Sequence, residues 1–344
     1  MSIAGPAAVA LASLKRFERV FIALLPKAEL HAHLNGCIPI ETLRQLARDY
    51  APPEGEPRVD LANLADGVVL DEIHDFFGLF PAIYALTSTP DALRTATRAV
   101  LQQFVGDDAA NQGCVYLELR TTPRATAAMT REDYLLAVLE EVELYPKDRT
   151  ALLVSVDRRM DESDAEEVVD LAIKLAKAGR RVVGLDLCGE PLAGDVNMLV
   201  KHLARAKEAG LGVTVHIAET SANTEDDTRA LLSFKPTRLG HATFLSDEAR
   251  AFVEEHRIPV EICLTSNLLC KTASTLEDHH IKHWLLRDHP VVICTDDTLP
   301  FRTSLAGEYA LLLARPPLGL GLSEADVAAI AERGVRARMP ALVL

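Results

Sequence analysis

Eight short runs of apolar and β-branched residues punctuate the chain. They are Lys27–Leu34, Val115–Arg120, Ala151–Val156, Val182–Leu187, Val213–Ile217, Arg238–Ala242, Val260–Leu264 and Pro290–Cys294. Between them lie segments with apolar residues three and four apart, the spacing of one helix face. These are Asp91–Phe104, Tyr134–Tyr145, Asp164–Ala178, Asn197–Ala209, Asp247–Glu255 and Leu276–Arg287. Ser163 with Glu166 reads as a capping box, Gly179 and Gly210 as helix stops, and Ser246 as an N-cap. Strands that are apolar on both faces belong to a parallel sheet covered on both sides. Eight of them alternating with helices predict an α/β protein, a closed (β/α)8 TIM barrel. A doubly wound open sheet is the alternative. Two further helices, Ser304–Ala314 and Ser323–Ala337, the second with a Ser323/Asp326 cap, are expected outside the barrel.

The pattern predicts one domain over residues 1–344, with an N-terminal amphipathic helix over 1–25. One connection is out of proportion. Residues 37–113 separate the first two strands and include the Pro/Gly-rich Ala51–Arg58 and an aromatic run, Phe76-Phe77-Gly78-Leu79-Phe80. An excursion of this size after a barrel strand is either a lid that excludes water or a subdomain that packs on the surface.

Composition narrows the class. The 344 residues are 49% apolar and 25% charged, an ordinary globular balance. The formal net charge of −14, with no long lysine or arginine run, argues against nucleic acid or an anionic membrane as partner. Near the N-terminus the apolar stretch precedes Lys15 and Arg16, the reverse of a secretion signal. No apolar run reaches the ~20 residues of a membrane span. The six cysteines, Cys37, Cys114, Cys188, Cys263, Cys270 and Cys294, contain no CxxC pair and are expected as free thiols in a reducing, cytoplasmic setting.

Polar residues collect at strand ends, where barrel active sites sit. The first strand ends in His31-Ala32-His33. Residues two apart share a strand face, so the two imidazoles point the same way, roughly 6–7 Å apart. The fifth strand carries His216 and runs into Glu219. The sixth carries His241, and the eighth ends in Asp296-Asp297. A lone histidine at a strand end is ordinarily a hydrogen-bonded structural residue, but four such ends together are a constellation. Three imidazoles and a carboxylate without cysteine suit a catalytic Zn²⁺, with Fe²⁺ or Co²⁺ behind it. Zinc lowers the pKa of water from ~15.7 towards ~7. With a glutamate and another histidine beside it, the reading is metal-assisted hydrolysis.

LPKAELHAHLNG, over residues 25–36, resembles the opening strand of the adenosine deaminase family, zinc hydrolases on a (β/α)8 barrel. The likeness continues through Val182–Pro191, Val213–Thr220, Arg238–Leu245, Glu261–Asn267 and Ile293–Asp297. Within the family it is similar to the adenosine deaminase-like branch, the N6-methyl-AMP deaminases. Asn35-Gly36, the Leu119–Arg124 segment and Ser155–Arg159 carry that likeness. The resemblance implies one Zn²⁺ on His31, His33, His216 and Asp296. It implies Glu219 as proton donor to the purine ring and His241 as the residue that orients water. Asp297 would bond the other purine ring, and the Gly189 backbone would read the base. Asn35, Thr121, Thr122, Pro123, Arg124 and Asp157 match positions that contact the nucleotide, as does metal-side His33. Arg124 would pair with a 5′-phosphate, and Asp157 would hold a ribose hydroxyl or brace an arginine. Tyr84 stands where the branch commonly has a histidine; His74 is a weak substitute that reads as a solvated helix face. The expected partner is a small purine nucleotide or nucleoside, and the expected protein a monomer. The expected reaction is N6-methyl-AMP to IMP plus methylamine. Adenosine or adenine deamination is the alternative, and a non-catalytic purine-binding protein a distant one. His279-His280-xx-His283 has metal-like spacing, but its charged surroundings read as a solvated helix face. Glu118 and Arg120 share a strand face as a possible buried pair.

Overall fold

The computed structural model describes residues 3–52, 59, 61, 73–106 and 113–340. Two helices, α1 (Gly5–Ser13) and α2 (Arg16–Leu24), precede β1 (Lys27–His33). The single N-terminal helix over 1–25 is therefore broken: Leu14 and Lys15 are extended, and Glu18 accepts the Lys15 N–H at 2.6 Å. α3 (Ile40–Asp49), α4 (Phe80–Leu86) and α5 (Pro90–Val105) follow, then β2 (Cys114–Thr121). From there strand and helix alternate: α6 (Arg131–Val142), β3 (Thr150–Asp157), α7 (Glu162–Lys177), β4 (Val182–Cys188), α8 (Val196–Glu208) and β5 (Gly212–Ile217). The second half holds α9 (Glu225–Ser233), β6 (Arg238–His241), α10 (Asp247–His256), β7 (Val260–Ile262), α11 (Leu264–Leu269), α12 (Ile281–Leu286) and β8 (Val291–Ile293). α13 (Thr298–Phe301), α14 (Leu305–Leu313) and α15 (Glu324–Arg336) end the chain.

The eight strands lie in sequence order, all parallel, as the apolar runs require. The last meets the first where Asp296 donates its N–H to His31 O at 2.8 Å and His33 donates to Asp296 O at 3.2 Å. The barrel expected from the pattern is thus present, with shifts at its elements' edges. α7 is capped by Asp161, which accepts the Asp164 N–H at 2.8 Å, and Ser163 bonds to that cap instead of forming it. The Leu276–Arg287 helix shrinks to α12, and Leu264 opens α11 instead of ending β7. Within Ala51–Arg58, residues 53–58 lie outside the described residues, as does the side chain of His74.

The barrel floor is ionic. Arg120 bonds Asp186 at 3.0 Å and Glu261 at 2.9 Å; Arg238 bonds Glu261 and Glu118 at 2.6 Å each. All five side chains are fully buried. Glu118 and Arg120 share a face, but their partners lie on other strands: Arg238 for one, Asp186 and Glu261 for the other. Thr214 also donates to Glu261 at 2.9 Å, and the Met339 N–H to Glu118 at 2.7 Å, so the C-terminal segment seals the floor. A buried charge is tolerable only with such complete pairing.

Candidate active site

β1 delivers His31 and His33 to the carboxyl end of the barrel with ring centroids 5.2 Å apart. β5 brings His216, and the turn after β8 brings Asp296, whose φ of +62° lets the chain reverse there. His33 Nε2 lies 3.3 Å from His216 Nε2, and Asp296 Oδ1 lies 3.5 Å from Nε2 of both His31 and His33. One donor atom from each of the four falls within 4.8 Å of the others. Behind them, His31 Nδ1–H donates to Glu261 at 2.5 Å, and His216 Nδ1–H to Leu187 O at 2.7 Å. Those bonds leave the Nε2 lone pairs facing the centre, the tautomer a metal requires. His31 Nε2 is buried with no hydrogen-bond partner.

Electrostatics point the same way. Burial and Arg120 act to lower His31, yet Asp296 and Glu261 outweigh them and carry it to about 9. The pocket selects a positive charge at that point, and a divalent cation supplies one. Burial holds His33 well below the usual imidazole range, as a neutral ligand must be. Cys188 and Cys263 belong to overlapping groupings, but burial pushes both thiols well up, so they stay protonated. The donor set that fits a metal is therefore three imidazoles and one carboxylate.

Two acid–base groups flank this cradle. Glu219 follows Ala218, whose φ of +48° turns the β5 exit inward. Burial pushes the Glu219 carboxyl up to about 7; His216 and Arg158 oppose the shift and Asp296 adds to it. His241 Nε2 lies 3.6 Å from Glu219 and 3.9 Å from Asp296, and neither ring nitrogen has a hydrogen-bond partner. Burial keeps this imidazole neutral. Asp297 is pushed well above the carboxylate range by burial and by the charge of Asp296. Its Oδ1 is buried without a partner, so a neutral carboxyl is free to donate there. A Cβ on Gly36 would sit 1.5 Å from that oxygen, which is why glycine follows Asn35.

A cleft opens over these groups. Asn35, Tyr84, Thr121, Thr122, Asp157 and Gly189 line it, with His33, Glu219, His241 and Asp297. Gly189 has a φ of +98°, and a Cβ there would lie 2.6 Å from Asp157 Oδ1. Pro123 and Arg124 line an adjoining recess that shares Tyr84, Thr122 and Asp157 with the cleft. Arg124 is already engaged: it donates to Tyr84 O at 3.2 Å and Thr87 Oγ1 at 2.9 Å, and stacks over the Tyr84 ring at 4.2 Å.

Several cleft residues lay outside the sequence reading. Arg159 is one, a second arginine at the cleft; Asp157 braces it, one of the two roles expected of that carboxylate, accepting from its Nε at 2.9 Å and its Nη2 at 2.6 Å. Phe76 stacks on Phe301 at 5.2 Å and 13°, forming an apolar wall with Ile73 and Cys270. Asp186 and Glu261, which steer His216 and His31, could have been flagged as charges inside apolar strands. The solvated helix face expected of His279–His283 is also absent. His279 is buried against Asn267, His280 donates to His241 O, and His283 contacts Glu254.

A parallel eight-stranded barrel with a histidine–carboxylate cradle at its carboxyl end defines a metal-dependent hydrolase. The sequence profile of the adenosine deaminase family matches residues 26–341. The chain is 36% identical over 309 residues to N6-methyl-AMP deaminase of Bos taurus, covering 86% of each chain. It is 36% identical to the Arabidopsis thaliana N6-mAMP deaminase, covering 92% of this chain and 93% of that one. The crystal structure of Arabidopsis ADAL complexed with IMP superposes with a TM-score of 0.83 at 35% identity, covering 93% and 94% of the two chains. The chain belongs to the adenosine deaminase family, and it is a hydrolase that acts on C–N bonds.

Proposed function

We propose that this enzyme converts N6-methyl-AMP to IMP and methylamine, with Zn²⁺ held by His31, His33, His216 and Asp296. The observation that carries the reading is the placement of neutral-acid Glu219 and unpartnered His241 and Asp297 around one four-residue cradle. The substrate follows from relatives that carry that name at 36% identity over most of the chain. When bound, zinc supplies a Lewis acid that makes water nucleophilic near neutral pH. Glu219 holds the proton destined for purine N1. The neutral His241 ring accepts a hydrogen bond and orients the attacking water. Asp297, protonated, donates to the imidazole ring of the base, and Gly189 meets the pyrimidine ring through its backbone. The balance consumes one water: its oxygen stays on C6, one proton stays on N1, and the other leaves on methylamine as the C6–N bond breaks. All these groups come from one chain, consistent with a monomer. Among the described residues no helix is long and apolar enough to cross a membrane. Six buried free thiols fit a reducing, cytoplasmic setting.

Ile73, Phe76 and Tyr84, from the long connection between the first two strands, form one wall of the cleft and serve as the lid over it. Tyr84, with Arg124 stacked on it, and Arg159, held by Asp157, form the seat for the 5′-phosphate and ribose. Tyr84 cannot carry a charge near neutrality, and burial pushes its hydroxyl further up. That substitution favours adenosine as a second reading. The test is parallel turnover of N6-methyl-AMP, AMP, adenosine and adenine by the zinc-loaded protein, followed by the ultraviolet change on forming the 6-oxo purine. Predominant turnover of N6-methyl-AMP supports the reading; preference for adenosine or adenine overturns it. Arg124→Ala is expected to lower kcat/KM for the nucleotide about 10–100-fold, the loss of one charge-assisted contact, and for the nucleoside little. Equal losses on both would remove Arg124 from phosphate recognition.

A further inference from the structure

His241 presents a structural problem. Its ring has no hydrogen-bond partner on either nitrogen, although it is almost fully buried. Its backbone φ is +59° and that of Ala242 is +51°, two consecutive left-handed residues neither of which is glycine. Such a turn costs free energy and persists only where its surroundings impose it. Something other than the ring's own bonds must aim the side chain.

The segment between α11 and α12 supplies the constraint. His280 donates its Nε2–H to the backbone carbonyl of His241 at 2.8 Å. Burial holds His280 at about 4, so the ring is neutral with one N–H, and that proton is committed to the carbonyl. His280 lies flat on His279, ring centroids 4.5 Å apart at 19°. His279 is locked at both edges: Nε2–H donates to Asn267 Oδ1, and Nδ1 accepts the Ile281 N–H, each at 3.1 Å. Asn267 returns to the same turn by donating to Thr243 Oγ1 at 3.4 Å. The turn that carries His241 is thus gripped at its first and third residues by one side-chain cluster.

We propose that His280 is a positioning residue for the reaction: it fixes the backbone turn at His241 and so aims the His241 ring at the water it orients. The inference rests on the role given to His241 above. His280 itself does not reach the substrate. Removing its N–H lets the carbonyl rotate toward a relaxed turn, and the ring moves with it. Partners that orient a reacting group without touching substrate are worth about 10–100-fold in activity when lost.

The test compares His280→Gln with His280→Met on N6-methyl-AMP. A glutamine amide can occupy the place of Nε2–H, whereas methionine keeps the volume without the donor. Methionine is expected to lower kcat about 10–100-fold with KM little changed, and glutamine to restore most of it. Zinc content and Kd for IMP, read by calorimetry, are expected to match the parent in both. Parental kcat in His280→Met would overturn the proposal. Equal loss in both variants, tracking a lowered Tm, would also overturn it and leave His280 a packing residue. A parent protein inert on N6-methyl-AMP but active on adenosine would reject the substrate reading instead, and the same comparison would then be read on adenosine. A parent inert on every purine would remove the basis of both.

Discussion

Glu219→Gln is expected to keep the fold and the metal and to lose turnover by about 10²–10⁴, the scale of a positioned general acid. The amide preserves size and accepts hydrogen bonds but has no proton to give at N1. Burial raises the Glu219 carboxyl to about 7, so the acid form needed for donation dominates below that value and is lost as pH rises through it. The pH–rate profile of the parent is accordingly expected to fall on its alkaline limb. The raised value has a second consequence, on stability. Its contribution is fully present below the ordinary carboxylate range and disappears as pH rises through about 7, because the folded protein then holds a desolvated charge. Metal-free Glu219→Gln is expected to lack that alkaline loss, measured as Tm against pH. A variant with parental kcat would sink the assigned role of Glu219.

Arg120→Met is expected to give the largest loss of stability, about 3–5 kcal/mol, since it leaves Asp186 without its arginine and Glu261 with Arg238 alone in a dry interior. Asp186 and Glu261 are both held well below the carboxylate range against the pull of burial, and Arg120 is the leading cause in each. Glu261 also receives the proton of His31 Nδ1, and Asp186 lies 3.1 Å from His216 Nδ1. The same change should therefore weaken metal binding about 10–100-fold. A guanidinium chloride midpoint and the zinc content after dialysis check the two halves separately. A folded, fully stable Arg120→Met would mean that the floor tolerates unpaired charge.

Strand and helix periodicity made the barrel legible, because a strand covered on both faces leaves a run that few other structures produce. The cradle was legible because its residues end strands, where their isolation among apolar neighbours marks them. What stayed hidden was whatever depends on contacts between distant segments. Glu118 and Arg120 share a face, yet each is paired across the barrel with a residue far along the chain. His280 looked solvent-facing in its charged run, and its meeting with the β6 exit is a product of closure. Arg159 is hidden for a different, local reason: it carries no periodic signal, and its bond to Asp157, two residues away, depends on the turn at the β3 exit. Local errors have local causes: Asp161 outcompeted Ser163 as a cap because its carboxylate reaches the Asp164 N–H directly.

The seam between β1 and β8 has a consequence for how the enzyme comes to life. His31 and His33 are made long before Asp296, yet backbone bonds between them both close the barrel and complete the cradle. A nascent chain that has not yet reached Asp296 therefore carries His31, His33 and His216 but lacks the bonds that close the seam. The cradle gains its fourth member only when the turn after β8 has docked against β1.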